Sequence, residues 1–165
     1  MASSTNVEKI IFDVNILAIF LVKSHPGFEH ITPIIEEGLR GAYTPIIMDT
    51  LPTRAYCIMT RRWGLPEKES AAAIKHFVKT YDHPHYTNLK RETILHSFHL
   101  SERLHHEVFD CTYIALAHQE KATAILTTDT DFERLCKHAN IKYINPVPKE
   151  TLKHFKEQNT PTPTT

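Results

Sequence analysis

The stretch AILTTDTDF, residues 124–132, contains the transition on which the predicted fold of this chain depends. Its first three residues are apolar and predict a short buried strand, whereas the residues from Phe132 onward have helical spacing. Two carboxylates, Asp129 and Asp131, therefore fall where a strand passes into a helix. Ligands of open α/β sheets bind outside the carboxyl ends of the strands. The stretch thus predicts a functional site that contains both acids.

A second apolar run far away in the sequence also ends in an acid. It reads IIFDVNIL over residues 10–17, with Asp13 directly after the predicted strand. If this strand and the one before Asp129 lie side by side and parallel, their carboxyl ends meet at one edge of the sheet. We therefore expect Asp13 to lie close to Asp129 and Asp131.

Strands alternate with helices along the rest of the chain. We predict strands over residues 9–12, 42–48, 86–89, 124–127 and 142–144, and helices over residues 13–23, 28–40, 51–63, 66–81, 90–105, 109–120 and 131–138, with a basic helical turn after Pro146. This order predicts a three-layer α/β/α domain with a mostly parallel central sheet of about five strands. We expect one domain over residues 9–157, a flexible N-terminus over residues 1–8, and a disordered Pro/Thr-rich tail over residues 158–165.

Charge and cysteine content narrow the class of protein. Lys plus Arg and Asp plus Glu number 19 each, so binding of a polyanion would need a local basic patch. Three widely spaced cysteines in apolar surroundings, Cys57, Cys111 and Cys136, are expected to be reduced core residues. The apolar run after Lys9 is interrupted by Asp13 and is too short to cross a bilayer. We expect a cytoplasmic protein with no membrane partner.

Two further acids are candidates for the same site. Asp49 follows the second predicted strand, and Asp110 opens a helix among apolar neighbours. Carboxylates that converge in a poorly solvated cleft repel each other, and Mg²⁺ or Mn²⁺ would remove that repulsion. A simpler interpretation stays open, because a single Asp after a strand is often only a helix N-cap. This N-cap interpretation applies to both Asp49 and Asp131.

These motifs resemble those of PIN-domain nucleases. The resemblance rests on IIFDVNIL at residues 10–17, VFDCTYIALA at residues 108–117, and AILTTDTDF at residues 124–132, in this order and spacing. It extends over residues 10–146, and the size of the chain looks most like that of VapC-type toxins. The resemblance implies a metal-dependent endoribonuclease that acts on RNA with Mg²⁺ or Mn²⁺, forms a homodimer, and is inhibited by a small antitoxin protein.

The resemblance also assigns roles to residues of this chain. It implies that Asp13, Asp110 and Asp129 are the metal ligands, that Asp131 is an auxiliary acid, and that Asn15 and Thr127 orient the carboxylates by hydrogen bonds. The second motif departs from the family, which usually has a Glu where this chain has IMDTLP at residues 47–52. Either Asp49 replaces that Glu, the interpretation we favour, or the site uses three or four other acids, or activity is impaired.

RNA would be held by local positive charge. The candidates are Arg54, Arg61 and Arg62 on the third predicted helix, and Lys90 and Arg91 at the start of the fifth. A solvated helix face explains each of them equally well. Tyr56 and Trp63 are aromatic and able to stack on bases, but packing in the core or at a dimer contact is the simpler interpretation.

The sequence is also compatible with other functions. A degenerate PIN fold would bind RNA or a protein without cleavage, and a processing nuclease would act outside a toxin pair. His96 and His99 lie one helical turn apart and suggest a transition-metal site, but no HExxH motif or suitably spaced Cys accompanies them. A flavodoxin-like signalling domain would need a Lys after a late strand and fewer intervening helices.

Overall fold

A five-stranded parallel sheet forms the centre of the molecule. A computed structural model describes residues 7–158, so most of the predicted flexible N-terminus and of the predicted tail lies outside the described residues. The strands are β1 (Lys9–Phe12), β2 (Thr44–Met48), β3 (His85–Thr87), β4 (Ala124–Leu126) and β5 (Lys142–Ile144). Their order in the sheet is β3-β2-β1-β4-β5, and all four pairings are parallel. The predicted α/β class with about five strands is confirmed.

The chain reverses its direction across the sheet between β1 and β4. From β1 it proceeds to β2 and β3 on one side, and then it crosses to β4 and β5 on the other side. In the register of this pairing Phe12 lies opposite Leu126. The carboxyl ends of β1 and β4 therefore flank the switch point, which is the place where such sheets bind ligands.

Within residues 7–158, eight α-helices surround the sheet. They are α1 (Val14–Phe20), α2 (Phe28–Leu39), α3 (Leu51–Cys57), α4 (Glu67–Thr80), α5 (Arg91–Leu104), α6 (Val108–Glu120), α7 (Phe132–Ala139) and α8 (Lys149–Gln158). Contacts join α1 to α4 into one group and α5 to α7 into another. Right-handed crossovers put these two groups on opposite faces of the sheet, as the predicted three-layer arrangement requires. The inner strands are consequently buried on both faces.

The third predicted helix differs from the prediction in its second half. It begins at Leu51 as expected, but α3 ends at Cys57 and a single π-helical turn follows over Ile58–Arg62. Cys57 at this junction is exposed, so the prediction that all three cysteines are core residues is wrong for this one; Cys111 and Cys136 are buried. The apolar neighbours of Cys57 suggested burial, but the residue lies on the side of the helix that faces a surface cavity.

Over residues 7–158, no helix is both long enough and apolar enough to span a membrane.

Close packing of α2 against β2 gives a stability prediction. A Cβ atom at Gly38 would lie 2.6 Å from a ring carbon of Tyr43, whose hydroxyl donates a hydrogen bond to the Ile34 carbonyl oxygen at 2.7 Å. We expect Gly38→Ala to lower the free energy of unfolding by about 1–3 kcal/mol in urea titrations, because overpacking outweighs the better helix propensity of Ala. With Tyr43→Ala present, Gly38→Ala should be neutral or stabilising. An equal loss in both backgrounds would contradict this packing.

Candidate functional site

Asp13 is held at the junction of β1, β4 and α1. Its backbone N–H donates to the Leu126 carbonyl oxygen at 3.1 Å, which extends the β1–β4 ladder by one residue. One carboxylate oxygen accepts from the Val14 N–H at 2.6 Å, and so caps α1. The other accepts from the Thr127 hydroxyl at 2.8 Å. Asp13 is only 4% exposed, and these hydrogen bonds fix its carboxylate in position.

The loop after β4 orients Asp129 through two short turns. The Asp129 N–H donates to the Thr127 hydroxyl oxygen at 3.0 Å, and a carboxylate oxygen of Asp129 accepts from the Asp131 N–H at 2.9 Å. Thr127 thus contacts both Asp13 and the Asp129 backbone. This is the position expected for a residue that orients carboxylates.

Asp110 lies in the first turn of α6, beside a histidine that sequence reasoning missed. His106 Nε2 lies 2.9 Å from an Asp110 carboxylate oxygen, and its Nδ1 lies 3.2 Å from Nη2 of Arg134. Since a guanidinium only donates, Nδ1 is the acceptor and Nε2–H donates to Asp110. Burial raises the pKa of Asp110, and the hydrogen bond from His106 partly offsets that rise. His106 lies in the loop before α6, outside the helix, so no helical spacing in the sequence marked it as a neighbour of Asp110.

A surface cavity of about 440 Å³ brings the three acids together. Asp13, Asp110 and Asp129 line it, and so does Asn15. Burial, with smaller contributions from the charges of Asp129 and Asp110, raises the pKa of Asp13 to about 6. No ion pair among the described residues includes Asp13 or Asp129. Among the acids of the cavity, Asp13 and Asp129 therefore lack a paired basic side chain within residues 7–158, whereas Asp110 has His106.

Basic and aromatic side chains also line the cavity. Arg54, Arg61 and Arg62 line it from α3 and the π turn, and Phe109 lines it from α6. π-helical turns recur at functional sites, and this one carries two of the arginines. Three of the five basic residues predicted to hold RNA thus share a cavity with the acids.

Tyr113 is a buried residue that lines the same cavity, and the sequence analysis did not identify it as a site residue. Its hydroxyl accepts from the Val14 N–H at 3.3 Å and from Arg54 Nη1 at 3.5 Å. Burial, followed by the Asp13 charge, raises the pKa of this hydroxyl, so it stays protonated. Tyr113 follows Asp110 by three residues, one turn along the same face of α6. That spacing was the only signal available without the fold.

Asp49 and Asp131 lie outside this cavity. The Asp49 backbone N–H donates to the Thr87 carbonyl oxygen at 2.9 Å, which continues the β2–β3 ladder away from the switch point, and its side chain is exposed. Asp131 is exposed at the N-cap position of α7, without a side-chain capping hydrogen bond. The structure brings together three of the five predicted acids.

The remaining predicted basic residues also lie elsewhere. The Lys90 backbone N–H donates to the Gln119 side chain at 3.0 Å. Gln119 follows Asp110 by nine residues in α6, a distance of about 13 Å along the helix. Lys90 and Arg91 are therefore near the end of α6 that is remote from the carboxylates.

The donors at the cavity suit a hard divalent cation, although a complete ligand set is not preformed. Over residues 7–158, no group of three or more His, Cys, Asp or Glu side chains is arranged to hold a metal ion as it stands. Carboxylate oxygens are nevertheless the ligands that Mg²⁺ and Mn²⁺ prefer. A buried carboxylate without a basic partner is costly unless a cation is supplied. The sequence suggested His96 and His99 as a metal-binding pair. In the structure the ring nitrogen Nε2 of His96 lies instead 3.1 Å from Nδ1 of His118.

Fold and site together define an α/β protein with a cluster of acids at the switch point of a parallel sheet. The chain belongs to the PIN domain family, whose pattern matches residues 10–138. This family is generally metal-dependent and typically consists of nucleases. A comparison with curated proteins gave no match.

Two solved structures share the fold at low sequence identity. VapC20 from Mycobacterium tuberculosis, described as a toxin that cleaves the sarcin–ricin loop, is 12% identical, with a TM-score of 0.62 over 76% of this chain and 94% of that chain. VapBC2 from Rickettsia felis, solved with a DNA fragment from its promoter, is 13% identical, with a TM-score of 0.63 over 83% of this chain and 98% of that chain. At such identities the similarity establishes the fold alone.

The charge on Asp13 gives a prediction for stability against pH. Its pKa is 3.8 in the unfolded chain and about 6 in the fold, so the native state binds more protons between these values and stability falls as pH rises through them. We compare the free energy of unfolding of Asp13→Asn with that of the unmodified chain, in chelator, at two pH values. Above pH ~6.5 this difference should favour the variant by about 2–3 kcal/mol more than it does near pH ~3.5. Urea unfolding at the two pH values measures this difference.

Added Mg²⁺ serves as the control for that experiment. At the higher pH it should stabilise the unmodified chain and leave Asp13→Asn nearly unchanged, because only the carboxylate gains a counter-charge. A stability difference between the two proteins that is the same at both pH values would contradict the account of Asp13.

Proposed function

We propose that this protein is an endoribonuclease that cleaves RNA phosphodiester bonds with the help of Mg²⁺ or Mn²⁺. The observation that carries the proposal is the buried Asp13 carboxylate, which shares a cavity with Asp110 and Asp129 and has no basic partner among the described residues. Such an arrangement is unfavourable in isolation and becomes favourable with a divalent cation. Membership of the PIN domain family supports the same conclusion.

Asp13, Asp110 and Asp129 are the residues that would hold the cation. When bound, it supplies a Lewis acid that lowers the pKa of water and offsets charge on phosphate oxygens. Thr127 keeps the Asp13 carboxylate in place, and His106 does the same for Asp110. We assign no catalytic part to Asp49 or Asp131, because their side chains are exposed outside the cavity. The proposed site therefore uses three acids and does not need a replacement for the missing Glu.

The arginines that line the cavity would bind the phosphates of the substrate. Arg61 and Arg62 are exposed at the cavity, where their guanidinium groups can donate to phosphate oxygens on either side of the scissile bond. Arg54 is half-buried and tied to Tyr113, so it is the most restricted of the three. Binding through these groups depends strongly on salt concentration.

We also propose that this protein binds two protein partners. The complex of VapBC2 from Rickettsia felis supports a small antitoxin as one partner, and a second copy of this chain is the other. Three side chains of α5, Ile94, Leu95 and Phe98, are apolar and exposed. Exposed apolar surface of this kind is commonly buried at protein contacts. We accordingly propose a homodimer that an antitoxin holds inactive, and therefore a toxin role.

A second candidate function is RNA binding without cleavage. It is favoured by the absence, within residues 7–158, of a preformed group of three metal ligands, and by the exposed position of Asp49. The same cavity would then bind RNA through its arginines alone. Cleavage assays separate this candidate from the first.

Matched Asp→Asn variants test the nuclease. We expect the purified chain to cleave single-stranded RNA with Mn²⁺ and not with chelator. Asp129→Asn should lower the rate at least ~100-fold, because electrostatic groups at a reacting centre commonly contribute that much. Asp131→Asn, two residues away and exposed, should stay within ~3-fold of the unmodified chain, as should Asp49→Asn. Rates come from gel or fluorescence assays at saturating Mn²⁺.

Two outcomes would count against this assignment. Full Mn²⁺-dependent cleavage by Asp129→Asn would remove the three-acid site, whereas tight RNA binding without cleavage by the unmodified chain would favour the binding module. A large loss in Asp49→Asn would instead show that this acid takes the place of the family's Glu.

A further inference from the structure

Phe109 is an exposed aromatic residue at the edge of the acidic cavity. It is the second residue of α6 and directly precedes Asp110, and its side chain is 58% exposed. Burial of a Phe side chain stabilises a folded protein, and an exposed ring at this position loses most of that stabilisation. Among the described residues it takes part in no ring–ring contact. Core packing does not explain why a large apolar ring lies here.

One neighbour holds the ring in place. The Arg54 guanidinium carbon lies 5.1 Å from the centroid of the Phe109 ring, within the range of a cation–π contact. Arg54 also donates to the buried Tyr113 hydroxyl, so the cation itself is anchored. The guanidinium thus supports one face of Phe109, and the large exposed fraction leaves the rest of the ring accessible from the cavity.

The surroundings of the ring favour a nucleic acid over an apolar peptide. Phe109 lines the same cavity as the three carboxylates and as Arg61 and Arg62. A ligand there must present negative charge to the arginines and a flat apolar surface to the ring. A nucleotide has both, since its phosphate and base are joined through one sugar, and bases stack on aromatic side chains with little dependence on sequence.

We propose that Phe109 is a stacking platform for the nucleobase adjacent to the scissile phosphate of single-stranded RNA. This inference rests on the proposed function and adds to it a subsite that fixes the strand beside the carboxylates. The ring binds the base, Arg54 supports the ring from behind, and Arg61 and Arg62 bind the neighbouring phosphates. Stacking of this kind selects single-stranded over duplex RNA, because paired bases have no free face.

The test measures RNA binding without catalysis. The probe is a fluorescently labelled oligouridylate in chelator at fixed ionic strength, and anisotropy gives the dissociation constant. Stacking is worth about 1–3 kcal/mol per base, so Phe109→Ala should weaken binding about 5- to 150-fold. Phe109→Trp should retain binding. Phe109→Leu should be weak as well, because it keeps apolar volume but lacks an aromatic face.

Two controls isolate the stacking contribution. Val78→Ala removes an exposed apolar side chain, 43%, from α4 outside the cavity, and it should leave the dissociation constant unchanged. An abasic version of the oligonucleotide should bind the unmodified chain more weakly and should no longer distinguish it from Phe109→Ala. Thermal unfolding of each variant confirms that it is folded, which is expected for changes at an exposed side chain.

The outcomes separate this inference from the function on which it rests. Equal binding of oligouridylate by Phe109→Ala and the unmodified chain, with Mn²⁺-dependent cleavage retained, overturns the platform alone and leaves Phe109 as a contact for a protein partner. Wild-type affinity in Phe109→Leu also overturns it, since apolar volume would then be sufficient. Failure of the unmodified chain to bind any single-stranded RNA overturns the platform and the proposed function together.

Discussion

The hydrogen bond from the Thr127 hydroxyl to the Asp13 carboxylate is the interaction on which the rest of the site depends. It joins the ends of β1 and β4, the two strands at the switch point, over 2.8 Å. The same hydroxyl accepts from the Asp129 N–H, so one side chain fixes both acids relative to the sheet. Because β1 and β4 are buried on both faces and Asp13 is itself buried, the Asp13 carboxylate cannot move away without disturbing the core. A rigid sheet edge thus holds negative charge where water is scarce.

That constraint explains the surroundings of the site. A buried carboxylate needs hydrogen bonds or an opposite charge, and Asp13 receives two hydrogen bonds but no basic partner among the described residues. Asp110 is stabilised differently, by His106, whose ring Arg134 orients in turn. Arginines line the same cavity, and within residues 7–158 they form no ion pair with these acids. The cavity therefore combines two acids without an ion-pair partner, Asp13 and Asp129, with the exposed guanidinium groups of Arg61 and Arg62, as a site for a cation and a polyanion would require.

The sequence predicted the parts of this site that follow from strand periodicity. Asp13 comes directly after β1 and Asp129 three residues after the end of β4, and parallel pairing of these strands then brings the two acids together. The sequence could not place Asp49, because an acid that follows a strand can lie at the switch point or away from it. The position of Asp49 becomes clear only from the β2–β3 ladder, which its backbone N–H extends. His106 and Arg134 depend on how α5, α6 and α7 pack, which no local pattern encodes. Phe109 sits within the apolar run VFDCTYIALA, where an exposed ring is indistinguishable from a core residue.

The most direct measurement is X-ray diffraction from crystals of this protein soaked in Mn²⁺, recorded at a wavelength where manganese scatters anomalously. The account predicts an anomalous peak in the cavity, in contact with carboxylate oxygens of Asp13 and Asp129, and its loss in crystals of Asp13→Asn. A cavity without any peak at saturating Mn²⁺, or a peak only at exposed groups such as His96 and His118, would contradict the claim that these acids form a metal centre.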